Sequence, residues 1–562
     1  MQKKATVKFP INNQVQAKNY MRSYILFLIG FMAGTGAIAQ DSLNRRNVNV
    51  TSAFKPTLKE AAKINFTAAP PLTDTSRPRL QYEIPNQNLL FAFQPGSLRP
   101  VALGIDSVVR WDNWNYAKLG YGNFNTPYFE TGLSLGDGQS AGLNIYGKHI
   151  SSKGKRDFQD YSNTDVELNG FLQTNKNIEF TGRFTGTSDQ YNRYGFDTKN
   201  FTFPEDSIKL RYNNFGVRLG FNNINRTDLG LSYAPEFRLD LFSDRLNNRE
   251  TNAYFNLPLR KTFGGRFEAI VALDGNVTKY SLKGKKAIKN NYFSLAPAFL
   301  VRTTNVLLHA GIKPTWDNKE FVLLPDIHAE IGAAEKRVTL QVGYVGHMRS
   351  NTFRSLTEIN PWIWAPNFSN NSRIREIFGG IKGTLTDHFS YNVKAGFNKI
   401  TNQPFITNDT ITGKAFAVIL EKDVNVLNFT GELGYNVGEK FSLRTLLRLN
   451  KFTSLDSLAK PWGIAPMEFT TTLRLQLLKD LYLKGDLYAF EGPWYMKKSG
   501  QDRVQGSIDL SAGIEFAVVR NVKLWAQFNN ILNREYERWH QYPTYGFNFL
   551  GGVVFSFAKP NK

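Results

Sequence analysis

Two histidines and two carboxylates carry the clearest chemistry in this sequence. Between Leu323 and Ile331, the apolar Pro325, Ile327 and Ala329 alternate with Asp326, His328 and Glu330. Successive side chains of a strand point to opposite faces, so these three polar groups share one side. The preceding stretch alternates in the same way, with Leu308, Ala310 and Ile312 on one face and His309 on the other. A hairpin centred near Asn318-Lys319 sets His309 opposite His328. Paired imidazoles flanked by carboxylates bind borderline divalent metals or pass protons. The same residues also suit an ordinary hydrated wall, where they pair with cations such as Lys313. Register decides between these readings, because a slip of two residues separates the pair.

Enzymatic chemistry has little else to draw on. There is no Cys, no Gly-x-Ser-x-Gly elbow, no His-Glu-x-x-His helix and no phosphate loop. The six histidines (His149, His309, His328, His347, His388, His540) match no catalytic pattern. The lack of Cys excludes disulfides, Cys-ligated zinc and iron–sulfur clusters. A non-enzyme without a cofactor is expected.

The elements that must position these groups are strands. Alternation recurs from about Trp114 to Phe557. Val424 to Val437 alternates, turns at Gly438-Glu439-Lys440 and resumes at Phe441. Thr471 to Leu477 turns at Lys479-Asp480 into Leu481 and Leu483. Val504 to Val518 sets Ile508, Leu510 and Ile514 against Gln505, Asp509 and Glu515, the lipid-out, polar-in pattern of a membrane barrel. The chain ends on Tyr545, Phe547, Phe549, Gly551, Val553, Phe555 and Phe557 at every second position, which reads as a closing strand. Short turns fall near Asp137, Asn175, Asn223, Thr262, Thr304, Ala334, Asp387, Gly438, Lys479 and Asn521, and the other connections are mostly longer. The expected fold is therefore an all-β, antiparallel up-and-down transmembrane barrel. It has about 22 strands, with 18 or 20 as the alternatives, and both termini on the periplasmic side.

Lys18 and Arg22 precede the apolar run Tyr24–Met32, and Ala37-Ile38-Ala39 makes a small-residue cleavage site, so residues 1–39 read as a signal peptide, with Met21 an alternative start. Residues 40–109, rich in Pro, read as an extended segment that either enters the lumen or remains a periplasmic tail; 110–557 read as the barrel and 558–562 as a short tail. No later stretch is long and apolar enough for a transmembrane helix. The formal charge of +22 would suit nucleic acid, but export points instead to outer-membrane lipid and lipopolysaccharide. The 14% aromatic share and 45 Gly fit interfacial girdles. Lys153, Lys155 and Arg156 in one loop, and Lys283, Lys285 and Lys286 in another, are candidate contacts for lipopolysaccharide phosphates.

Asn529-Asn530-Ile531-Leu532-Asn533-Arg534-Glu535-Tyr536-Glu537 resembles the penultimate-strand signature of TonB-dependent outer-membrane receptors, and Gln541 to Phe557 resembles their closing strand. The resemblance implies solute uptake or binding across the outer membrane, placement by the outer-membrane insertion machinery, and a periplasmic energy transducer or surface lipoprotein as partner. It also implies an N-terminal plug, for which the Pro-rich segment looks too short, and a short coupling box, for which only Asn47-Val48-Asn49-Val50-Thr51 offers itself. The alternative function is a non-transporting component of a surface or assembly complex. Inward Lys394, Arg444, Arg448, Arg474 and Lys484 either favour anionic solutes or pair with Asp486, Asp509 and Glu515. Trp362 and Trp364, in the longest loop, are expected to pack over the barrel mouth.

Overall fold

A computed structural model describes residues 114–333, 337–438 and 440–558. The expected leader, the Pro-rich segment that looks too short for a plug, the Asn47–Thr51 box and the tail past Ala558 all lie outside the described residues.

Twenty-two antiparallel strands form one closed sheet. The seventh is broken into Leu231–Tyr233 and Glu236–Asp244, where Pro235 has no N–H to give the ladder. The first strand, Trp114–Gly122, pairs with the last, Asn548–Ala558, from Trp114↔Ala558 to Gly122↔Leu550. Closure leaves no edge unpaired, the condition for strands to span lipid. The ten connections on the rim where both described ends lie, from 137–140 to 520–521, fall where the sequence marks short turns. Asp137 shows the chemistry of such a turn: its Oδ1 accepts the backbone N–H groups of Gln139, Ser140 and Ala141, each at 2.9 Å. The Ala141 N–H first, then the Ser140 hydroxyl, hold this carboxyl below the usual carboxylate range.

Alternation sorts the side chains as a membrane barrel requires. Val306, Leu308, Ile312 and Trp316 are exposed outward on one strand, and Phe321, Leu323, Ile327 and Ile331 on the next. Inward polar groups satisfy one another: the Asn252 amide donates to Asn276 Oδ1 at 2.8 Å and to Thr278 Oγ1 at 2.7 Å. Most strands run 9–15 residues, enough to cross the bilayer. Phe389–Asn408 and Phe416–Val437 have 20 and 22 residues and carry the wall upward beyond it.

Two C-terminal expectations are corrected. The penultimate strand is Val522–Asn529, so the resembling motif from Asn530 to Tyr536 is loop, and its last residue opens the short strand Glu537–Trp539. The closing strand starts at Asn548; Phe549, Phe555 and Phe557 point outward as the alternation requires, with half-exposed Val553 in phase. Phe547 is exposed just before the strand, but Tyr545 turns inward and is buried. Asn530 and Asn533 adopt left-handed backbone (φ 48° and 51°), which ends the alternating run. Similarly, Val504 lies outside its strand, which begins at Ser507.

Candidate functional site

The longest loop, 352–369, is built to fold inward. Its helix, Phe353–Ile359, opens with a capping box in which Ser355 N–H donates to Thr352 Oγ1 and Thr352 N–H donates to Ser355 Oγ, both at 3.0 Å. The wall residue Glu250 accepts the Phe353 and Arg354 N–H groups at 2.5 and 3.2 Å, so a buried carboxylate holds the helix N-terminus against the barrel. After the helix, Asn360 Oδ1 accepts the Trp362 N–H at 2.9 Å and turns the chain.

Trp362 then enters the core with 1% of its surface exposed. Its Nε1 donates to the Asn192 carbonyl at 2.9 Å, and its ring lies 4.1 Å from that of Tyr542 and 5.6 Å, edge-on, from that of Tyr194. Tyr212 and Tyr280 donate to the carbonyls of Pro361 and Pro366 at 2.6 and 3.0 Å. Trp364 N–H donates to the Phe416 carbonyl at 2.7 Å, and Phe416 N–H to that of Trp362 at 3.1 Å. Tyr542 donates to the Lys414 carbonyl. One buried cluster thus joins Tyr212 of the sixth strand, Tyr280 of the ninth, Phe416 of the sixteenth and Tyr542 of the last loop. These elements stand far apart around the circumference, so the cluster crosses the barrel mouth. Trp364 remains 42% exposed, with the buried Arg193 guanidinium 4.1 Å from its ring centre.

The cap tolerates no added volume at Gly195, where a Cβ would run into the Tyr542 ring. Gly195→Ala is expected to cost about 1–3 kcal/mol of loop packing. Limited proteolysis should then cut loop 193–208 faster, with the barrel still resistant to sodium dodecyl sulfate at room temperature.

A second tie joins the loops flanking the seam. Tyr545 donates to the Gln159 carbonyl at 2.8 Å, and Gln159 Nε2 donates to that of Pro543 at 3.0 Å. Lys155 and Arg156 bind Glu535 at 2.6 and 2.7 Å. Two of the six candidate lipopolysaccharide cations are therefore already engaged, whereas Lys153, Lys283, Lys285 and Lys286 are exposed. The Lys155 and Arg156 hydrogen bonds lower the Glu535 pKa. Its ion pairs contribute above the ordinary glutamate range and are lost as pH falls through the depressed pKa. Both cations are well exposed, so the effect is about 0–1 kcal/mol. Acidification below the glutamate range should raise hydrogen exchange at 153–160 and 530–547 and leave the wall unchanged.

Within the lumen, His309 and His328 are direct cross-strand partners. Their rings stack with centroids 4.6 Å apart, and His309 Nε2 lies 3.1 Å from Asp326 Oδ2. Glu330 is not part of this group: it binds Lys382 at 2.7 Å, on a strand that sequence spacing could not bring to it. The expected pairings come out differently: of the five inward cations Lys394 binds Glu376 at 2.7 Å, while Glu515 is bound by Lys523 at 2.9 Å and Asp509 accepts from Tyr536 at 2.8 Å. Sequence reasoning missed most of the cap. The available signal was aromatic residues at inward positions of upper strand ends, as at Tyr191, Tyr212, Tyr280 and Phe416.

No protein-family model matches the sequence, and no curated protein matches it. Solved structures do. The ferric enterobactin receptor PfeA of Pseudomonas aeruginosa aligns at 12% identity over 79% of this chain and 80% of its own, with a TM-score of 0.56. The copper transporter OprC aligns at 13% identity over 82% of both chains, with a TM-score of 0.58. The pyoverdine outer membrane receptor FpvA of Pseudomonas aeruginosa PAO1 aligns at 10% identity over 80% of this chain and 79% of its own, with a TM-score of 0.59. These are TonB-dependent receptors with 22-strand barrels, and the likeness is one of fold.

Proposed function

We propose that this 22-strand barrel of TonB-dependent receptor type is an outer-membrane solute-uptake barrel whose outward mouth is closed by its own loops. The observation that supports it is the buried cluster around Trp362 and Tyr542, which spans the mouth above a polar wall. A barrel of this strand number encloses a lumen wide enough to need an occupant or a cover. Passage then requires the loops to undock, and the polar wall below receives the solute. Insertion machinery would place the barrel, lipopolysaccharide would meet the exposed loop cations, and a periplasmic energy transducer would drive opening.

A second reading, a membrane-embedded component of a surface complex, draws on Ile359 and Ile411, which are 51% and 70% exposed on the outer loops. Mild-detergent extraction from native membranes, followed by analysis of bound small molecules and co-eluting proteins, separates the two. The uptake reading expects a releasable solute. A stoichiometric surface protein with no solute, and no conductance after the cap is removed, would overturn it in favour of the second.

A further inference from the structure

The lumen holds one side-chain cluster that solute passage alone does not explain. His309, Asp326 and His328 each offer a ligand atom, and these atoms all lie within 4.8 Å of one another. Their backbone is fixed: His309 faces His328 in an unbroken antiparallel register from Val306↔Ile331 to Asp317↔Glu320, so the pair does not depend on loop placement. Asp326 precedes His328 by two residues and therefore shares its face. Four residues beyond the short turn 303–305, His309 sits near the rim where both described ends of the barrel lie.

We propose that His309, Asp326 and His328 form a binding site for a borderline divalent transition metal such as Zn²⁺ or Cu²⁺. Two imidazoles and one carboxylate are the donor set such ions prefer, and hard ions such as Mg²⁺ or Ca²⁺ would want more oxygen. The distances suit it. Bonds of about 2.0–2.2 Å in a tetrahedral site separate neighbouring ligand atoms by about 3.3–3.6 Å. His309 Nε2 and Asp326 Oδ2 are already 3.1 Å apart. The metal takes the place of the proton they share, and that proton leaves to solvent. His328 joins by swinging out of its stack on His309, a side-chain rotation with no backbone movement. The fourth position opens to the lumen.

The surrounding charges permit this. Of the cations that act on the trio, Lys382 is neutralised by Glu330 at 2.7 Å, and Lys313 also interacts electrostatically with Asp274. Glu330, committed to Lys382, is a positioning residue for the local charge and not a ligand. The site stands on its own geometry and holds whether or not the uptake reading does.

The test uses the full chain purified in detergent and titrated with Zn²⁺, and separately with Cu²⁺ to read imidazole coordination by visible absorption and electron paramagnetic resonance. The expected result is one saturable site. His309→Gln and His328→Gln should each weaken it by at least about tenfold, as should Asp326→Asn, whereas His388→Gln, on the turn 385–388 away from the trio, leaves it within about twofold. Retained heat-modifiable mobility on gels shows that each variant is folded. Absence of a saturable site in the wild type, or a site that survives the His309→Gln/His328→Gln double variant, overturns the proposal.

Discussion

Trp362→Ala is expected to open the barrel mouth without unfolding the barrel. Trp362 is almost fully buried, donates one hydrogen bond to the Asn192 carbonyl and contacts Tyr194 and Tyr542. Truncating such a side chain costs about 3–5 kcal/mol. The 22-strand ladder does not depend on this residue, so the loss falls on docking of loop 352–369 and not on the wall. Loops are drawn from the less stable end of a structure, and a cost of this size exceeds what most local docking equilibria hold in reserve. Trypsin should therefore cut at Arg354, and planar bilayers should show frequent conductance bursts that are rare in the wild type. Trp364→Ala is the control. That side chain is half exposed, and its loss should cost well under half as much.

The second large effect is at the seam. Glu130 is completely buried in the lumen wall, directly across from Lys118, which is 1% exposed. Glu130 accepts the Tyr116 hydroxyl at 2.7 Å and the Tyr128 hydroxyl, while Lys118 Nζ lies 4.0 Å from the centre of the Trp525 ring. Trp525 in turn donates to the Leu119 carbonyl at 3.1 Å and packs where the first and last strands meet. Glu130→Ala removes the acceptor of two tyrosine hydroxyls and a carboxylate from the strand position opposite the buried Lys118, at a cost of about 2–4 kcal/mol. Urea unfolding from detergent should show that shift. Glu167→Ala, which breaks a pair with the exposed Arg183 at 2.6 Å, should move it by no more than about 1 kcal/mol. Similar shifts for the two variants would mean that the seam is hydrated and not tied by this cluster.

The wall was legible in the sequence because a membrane barrel repeats one rule at every position. Each strand from Trp114 onward hides its apolar half in strict alternation, and each lower turn is short, so both strand count and hairpin register could be read locally. The His309–His328 pairing is the sharpest instance: a two-residue turn and clean alternation on both arms pointed to the register that the structure shows. Glu330 marks the limit of that reading, since its partner Lys382 comes from a strand separated by the longest loop. Tyr545 marks another, because the apolar alternation of the closing strand runs on by chance into residues that precede its start at Asn548, where Tyr545 turns inward. The cap was the least legible part. Its order comes from contacts such as Trp362 with Asn192 and Tyr542, far apart in the chain, for which no local period exists. Both faces of the upper walls near Phe405 and Phe416 are apolar, a local hint, beside the inward aromatics, that something packs inside them.

Asn351 and Asn370 are paired across the ends of their strands, so residues 352–369 can be replaced by a short Gly-Ser turn without disturbing the wall. Single-channel conductance of that variant beside the wild type tests the loop-closed barrel most directly. The wild type should be quiet and the variant should show steady, large conductance. A wild type that already conducts as freely as the variant, or a variant that stays silent, would contradict closure of the mouth by this loop.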